Sequence, residues 1–529
     1  MATTTRQRRT QPSDQPLPPS SYSKLNKPSK HGGGGGGDDG GLGWGLPLFA
    51  LGMLRYLSAT SNIIHDCDEV FNYWEPLHFL LFKSGFQTWE YSAEYALRSY
   101  LYIVFHAIVG GPISFLFEDK VRVFYAVRLF LGLISVVTDA FLVVALSRKY
   151  GKRLASYTLA MLCLTSGCFF ASTSFLPSSF SMYAMSLASA LALLEKPAMA
   201  VSVAASGVII GWPFSVLAFL PVTLFSLRKS LKQAFISGTI ISVALLVLSA
   251  VVDHYYYKKW TSSVLNLLLY NVMGGGEEPR TYCLDILDTS WLLLVYVKCE
   301  VIEREWFLYP IYPLICVAAS AFIESMPNFF RDKYNPNDSS ALVMIAKFVR
   351  PLILGFILCV SHSRTFSLIH GYSAPLEIYK HLQYHEDAGY GSTLCVGSEW
   401  HRFPSSFFIP DYVAQVRWID DGFRGLLPFP FNSTLGGTSA APSYFNNKNK
   451  ASDKQYLQDL EICTLLVELH LKRPFAYRGS DLSTWEVVAA LPYLDRELSP
   501  SLHRSFFIPY FWQEKNVFGL YKLLRRIPK

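Results

Sequence analysis

Between Asn62 and His78 the chain reads NIIHDCDEVFNYWEPLH: four carboxylates and two histidines among three aromatic residues, directly after an apolar run. Carboxylates held against a dry surface are chemically useful, because desolvation raises a carboxyl pKa toward the range in which it can accept a proton. Asp68 and Glu69 are adjacent, about 100° apart if the segment is helical, so the two do not address one proton. One should act as a base while the other orients or binds. Further along, Glu90 and Glu94 are interleaved with Phe79, Phe82, Trp89 and Tyr91. A carboxylate-rich loop is often a solvated surface, but aromatic rings settle at the headgroup level of a bilayer. The loop is therefore expected to lie on a membrane, partly dry. His65 and His78 are expected to be hydrogen-bonded or ligand-binding residues; nothing else at metal-ligand spacing accompanies them, so neither a metal nor another cofactor is expected.

Hydrolysis of a glycoside needs two carboxylates, because the sugar leaving group must be protonated. A sugar phosphate leaves without that help. One base, with cations to hold the phosphate, then suffices for glycosyl transfer to a hydroxyl, and a site on a membrane face suits a lipid-linked donor. Arg98 is the first candidate for a phosphate contact, since its guanidinium offers a bidentate fork; a snorkelling anchor is the competing reading. Arg128 lies inside an apolar segment, where a charge is costly and so functional by default, with a structural pair to Asp139 as the alternative. Lys258 or Lys259, in DHYYYKKW, could also reach a phosphate or belong to an interfacial belt.

Such a loop needs a scaffold that places it at a membrane surface. The 529 residues are 51% hydrophobic and only 16% charged, against a usual charged share of about 25%, which indicates a membrane-embedded chain. The net charge of +7 is no sign of nucleic-acid binding, because most of the excess sits in residues 1–30. Residues 1–42, with the run Gly32 to Gly37, read as a disordered cytosolic tail. Nine apolar runs approach the length of about 20 residues that spans a bilayer: 43–60, 98–117, 122–147, 155–175, 177–195, 198–226, 233–252, 306–324 and 342–361. The expected fold is mainly α, a polytopic module over 43–361 with its first luminal loop at 61–97, followed by a luminal α/β domain over 362–529. The positive-inside rule supports this at 228–232 and fails at 147–153, so one crossing among 98–175 is re-entrant or miscounted. Asn432-Ser433-Thr434 would be luminal and open to glycosylation, and Asn337-Asp338-Ser339 cytosolic. Cys395 and Cys463 pair if their domain sits in an oxidising lumen and are otherwise free thiols.

The stretch DEVFNYWEPLHFLLFKSGFQTWEYSAEYALRSYLY (68–102) resembles the first luminal loop of glycosyltransferase family 22, the dolichyl-phosphate-mannose-dependent mannosyltransferases of the endoplasmic reticulum with the GT-C fold. LPSSFSMYAM (176–185), NVMGGGE (271–277), FLYPIYPLICVAAS (307–320), SRTFSLIHGYSAPLEIYKHL (363–382) and CVGSEWHRFPSSFFIPDY (395–412) extend the likeness to the α-1,2 members that act in N-glycan precursor assembly, and to plant forms. The resemblance implies inverting, metal-free transfer from dolichyl-phosphate-mannose to a dolichyl-diphosphate oligosaccharide in a multi-pass protein among membrane lipids. It places the catalytic acids at Asp68 and Glu69, with Asp68 the chosen base. Expected substrate contacts are His65, Tyr73, Trp74, Glu75, Arg98 and Arg128. Residues 279–306 depart from the family pattern, whose His, Lys and Arg before LYPIYPL are absent here, as in an internal deletion. A catalytically impaired isoform and a non-enzymatic lipid-handling or transport protein are the alternatives.

Overall fold

The computed structural model describes residues 41–272, 302–330, 341–384, 389–432, 434 and 436–528. The first 40 residues, the divergent stretch up to residue 301, the Asn337 sequon and Ser433 of the other sequon lie outside the described residues. Residues 41–529 form one compact unit.

Among the described residues, four helices are long and apolar enough to cross a membrane: Lys120–Tyr150, Leu231–Tyr257, Phe307–Phe330 and Ala341–Tyr372. The other apolar runs are shorter or broken as helices. Gly45–Ser61 and Pro177–Leu193 have 17 residues each. The 155–175 run breaks where Thr165 turns extended, between Lys152–Leu164 and Ser166–Ala171. The 198–226 run breaks at Trp212, which is extended as residues before proline prefer, so Pro197–Ser206 and Val216–Lys229 become separate legs.

Contacts between helix ends show which termini share a side. Leu42 N donates to Ser147 Oγ at 2.6 Å, and Glu195 lies 3.5 Å from Lys149 Nζ and 3.4 Å from Lys229 Nζ. One end of the bundle thus holds the start of the first helix, the 147–153 turn, and both termini of the hairpin Pro197–Lys229. At the opposite end, Phe175 meets Glu69, Ser99 meets Asp253, and Lys259 meets the carbonyl of Glu94. Tyr100–Leu116 has both termini on that opposite side: Tyr100 bonds Thr438 at 2.5 Å, and Lys120, just past the helix, pairs with Asp411 at 2.5 Å. The 98–117 run is therefore not a crossing, and the 198–226 run supplies two legs instead of one. These two differences cancel, which keeps the C-terminal domain beside the 61–97 loop and moves the basic 147–153 turn to the side of Arg228 and Lys229.

The C-terminal domain is built on a five-stranded sheet in the order β3-β2-β5-β7-β6. Its strands are β2 (Ser392–Val396), β3 (Val413–Trp418), β5 (Leu465–His470), β6 (Trp485–Leu494) and β7 (Phe518–Arg526). β2 pairs in parallel with β3 and β5, and every β2 residue is buried, as expected of a central parallel strand. β7 runs antiparallel to β5 and β6. Cys395, on β2, is disulfide-bonded to Cys463, just before β5, which settles the open choice in favour of pairing. The helix expected to end near residue 361 continues to Tyr372.

A single core joins the two parts. Phe71, Trp74, Leu77 and Phe86 of the first loop pack with Phe403, Phe407, Trp418 and Leu427 of the C-terminal domain. β1 (Phe86–Gln87) pairs antiparallel with β4 (Phe429–Pro430), carrying a strand pair from the loop into that domain. The loop is thus enclosed by protein on its aromatic side, where the sequence suggested a belt lying against lipid headgroups.

Candidate active site

Asp66 begins the site. Its backbone is extended, its carboxylate accepts from Asp68 N at 2.8 Å, and its carbonyl accepts from Glu69 N at 3.2 Å. This is an N-cap, and it starts the short helix Cys67–Glu69. The chain then widens into a π-helical turn, Val70–Trp74, before continuing as Glu75–Phe82. A π-turn adds a residue without advancing the ladder, a device frequent at functional sites. Ahead of it, the helical step of about 100° between neighbours leaves Glu69 buried and Asp68 half-buried.

The two acids have different surroundings. Glu69 is fully buried, and its Oε1 accepts from Trp74 Nε1 at 3.1 Å and from Phe175 N at 2.9 Å. Burial pushes its carboxyl above the usual range, against the pull of Arg128 and these two donors. Asp68 is half-buried, with no side-chain hydrogen bond among the described residues. Burial, then repulsion from Asp66 and Glu90, pushes its carboxyl up to about 7, and Arg98 opposes the shift. Asp68 thus keeps some solvent contact while densely surrounded. It is poised to exchange a proton near neutrality.

Asp66, Cys67 and Asp68 each offer one ligand atom, all within 4.8 Å of one another. Burial and the flanking aspartates push the Cys67 thiol far up.

The remaining sequence candidates take distinct places. Tyr73 and Arg98 meet: Arg98 Nη1 donates to the Tyr73 hydroxyl at 2.9 Å, while Nε donates to Glu90 at 2.6 Å. Burial holds the Tyr73 hydroxyl up at about 12, so it keeps its proton. Trp74 is fully buried, with its only N–H spent on Glu69. Glu75 is filled by protein: Oε1 accepts from Ser405 Oγ at 2.7 Å and Ser406 N at 2.6 Å, and Oε2 from Ser406 Oγ at 2.7 Å and Phe86 N at 2.8 Å. Both are expected as substrate contacts; in the structure their polar atoms are taken by protein partners, which brace the loop. His65 is exposed, its ring edge-on to Phe170 at 4.5 Å. His78 is buried against Phe407, with Nδ1 2.6 Å from Ser84 O, and desolvation holds it down at about 3 and therefore neutral.

Arg128 is not paired with Asp139. Asp139 instead takes Arg55 at 3.1 Å, with Ser135 and Ser186 on its oxygens. Arg128 is fully buried, gives Nη1 to Asn62 O at 2.6 Å, and stands over Phe124 at 4.7 Å. Its Nε and Nη2 have no partner among the described residues, an arrangement that leaves two charged donors for something else. Lys258 Nζ stands 4.6 Å over the Tyr255 ring and Lys259 Nζ donates to Glu94 O, so both are engaged within the protein. Sequence reasoning counted Asp66 and Glu90 among the loop acids without giving them a role, and passed over Ser405 and Ser406. Only the Asp-Cys-Asp spacing, an N-cap pattern, carried a local signal for any of them.

Residues 46–285 and 288–410 match the Alg9-like mannosyltransferase family. The chain belongs to that family. It is 63% identical to Alpha-1,2-mannosyltransferase ALG9 of Arabidopsis thaliana, with all of both chains covered. The human protein of that name is 31% identical, covering 89% of this chain and 87% of its own, and the Saccharomyces cerevisiae protein is 27% identical, covering 86% and 90%. The family match is interrupted between residues 285 and 288, inside the stretch where the sequence departs from the family pattern. The Arabidopsis alignment spans 569 positions, more than the 529 residues of this chain, so the relative contains segments that this chain lacks.

Proposed function

We propose that this chain transfers mannose from dolichyl-phosphate-mannose to a dolichyl-diphosphate-linked oligosaccharide, in α-1,2 linkage with inversion, at the luminal face of the endoplasmic-reticulum membrane. The observation that carries the reading is Asp68, a carboxylate with no side-chain hydrogen bond among the described residues and held near neutrality beside the buried Glu69. Asp68 takes the proton of the acceptor hydroxyl as that oxygen attacks C1 of mannose from the face opposite the phosphate. The new C1–O bond forms as the C1–O–phosphate bond breaks, and dolichyl phosphate leaves with the bonding electrons, needing no proton. Glu69 holds the turn through Trp74 and Phe175. Arg128 is the cation with donors left for a donor phosphate, and Arg98, held by Glu90 and Tyr73, lowers the cost of charge on Asp68.

The charge distribution supports the luminal side. Arg148, Lys149, Lys152, Arg153, Arg228 and Lys229 gather at the bundle end away from Asp68, which the positive-inside rule makes cytosolic. The Cys395–Cys463 disulfide suits an oxidising lumen at the other end.

The test is transfer of labelled mannose in microsomes. Asp68→Asn should reduce transfer at least a hundredfold, in line with general-base losses of about 10²–10⁴, while the protein inserts and accumulates normally. Near-normal transfer by this variant would remove Asp68 as the base.

A further inference from the structure

The C-terminal domain carries an apolar edge that its own sheet does not explain. Leu498, Leu502, Ile508, Tyr510 and Phe511 are exposed, Tyr510 at 94%, along one short stretch of chain. That stretch is fastened to the helix Ala341–Tyr372. Phe507 N donates to Ser363 O, Ser363 Oγ to Phe507 O, Ser367 Oγ to Arg504 O, and Trp512 Nε1 to Ser367 Oγ. Phe507 also stacks on His370 at 5.2 Å.

The height of this junction can be read from the helix. Polarity begins at Ser361-His362-Ser363-Arg364, beyond the roughly 20 residues that cross hydrocarbon from Ala341. Leu368 packs with Ile63, just past the end of the first helix. The stretch therefore meets the helix where it leaves the apolar layer. Around it Arg364, Arg402, Arg496 and Arg504 all lie close enough to act electrostatically on Tyr372. Among the neighbouring acids, Asp495 and Glu497 are engaged by Arg473, Glu514 by Lys515 and Glu399 by Arg402. Apolar side chains flanked by arginines at the mouth of a membrane helix complement acyl chains beneath phosphate headgroups.

We propose that residues 498–511 are a membrane-contacting edge, seating Leu502, Ile508, Tyr510 and Phe511 in the bilayer interface with Arg364 and Arg504 facing headgroup phosphates. The occupant of this surface is lipid. The edge holds the C-terminal domain down on the bilayer, and through Ser405 and Ser406 that domain holds Glu75 and the catalytic turn. The contact is independent of which sugar is transferred.

The experiment places the photoreactive residue p-benzoylphenylalanine at Leu502, Tyr510 or, as calibration, Phe356, which is exposed on the membrane helix itself. The full chain is purified, returned to phospholipid nanodiscs without other proteins, irradiated, and digested for mass spectrometry. Lipid adducts at 502 and 510 at a level comparable with Phe356 are expected. Adducts at Phe356 with only background at both 502 and 510 would overturn the proposal and point to a protein partner. That result would leave the mannosyltransferase reading untouched, since Asp68→Asn tests it separately.

Discussion

Asp68 and Glu69 are adjacent carboxylates whose environments part their roles. The sequence made the pair visible, because consecutive acids beside an apolar run are costly unless used. The division of labour was not visible, since the donor that occupies Glu69 is the backbone of Phe175, 106 residues away. With its carboxyl pushed up to about 7, Asp68 is a base only when deprotonated. Below that pH it carries a proton and cannot take another from the acceptor, so the rate should fall about tenfold per pH unit on the acid side and level off above neutrality. The check is the pH profile of transfer at saturating donor; a rate flat from pH 5 to 8 would contradict a base at this pKa. Arg128 was singled out because a charge in an apolar segment needs a reason. The alternative, a structural pair with Asp139, is set aside because Asp139 is claimed by Arg55, a residue of another helix that no local spacing connects to it.

Elements were legible where apolar runs were continuous and misleading where backbone breaks them. A run from 198 to 226 scores as one span whether or not Trp212-Pro213 folds it back, and 98–117 scores as a span although both of its ends meet the C-terminal domain. The conflict at 147–153 was the useful signal, because charge records the side while hydropathy records only length. The junction between the first loop and the C-terminal domain was invisible for another reason: it depends on buried hydrogen bonds across some 330 residues. Glu75 accepts three of them, from Ser405 and Ser406, and a fourth bond from nearby Phe86 N; at Gly85, with φ +141°, a Cβ would stand 2.8 Å from Glu75 O. Glu75→Gln turns an acceptor into an amide facing donors. It should cost about 3 kcal/mol, since bonds to a charged group are worth about 1.5–3 kcal/mol each and a buried mismatch adds to the loss. The measurement is thermal unfolding in detergent, where a clear fall in Tm and a parallel loss of transfer are expected. An unchanged Tm would mean that these contacts do not hold the loop.

At the scale of the whole molecule, two covalent facts bear on activity. The Cys395–Cys463 bond closes a loop with a sequence separation of 68, worth about 4 kcal/mol in the chain-entropy model. Cys395→Ser should therefore lower the yield of folded protein and make the C-terminal domain sensitive to protease, measured by limited proteolysis of microsomes; unchanged resistance would show that the sheet holds without the bond. The second fact is the interruption of the family match between residues 285 and 288. The Asp68–Glu69 turn, its Glu75 anchor and the C-terminal domain all lie outside that stretch and fit together as one unit. The resemblance implies a His, Lys and Arg before LYPIYPL at positions where this sequence has other residues, and cations are what a sugar-phosphate donor requires. A chain that keeps the base and loses donor contacts should bind the donor weakly while its pH dependence, governed by Asp68, stays the same. Expression in cells that accumulate the short lipid-linked oligosaccharide separates these effects. This chain should restore elongation poorly, and a version carrying the Arabidopsis residues in place of 279–306 should restore it fully, with a lower KM for donor and an unshifted pH profile. Equal rescue by both would show that Arg128 and its neighbours suffice to hold the phosphate, and failure of both would remove the mannosyltransferase assignment.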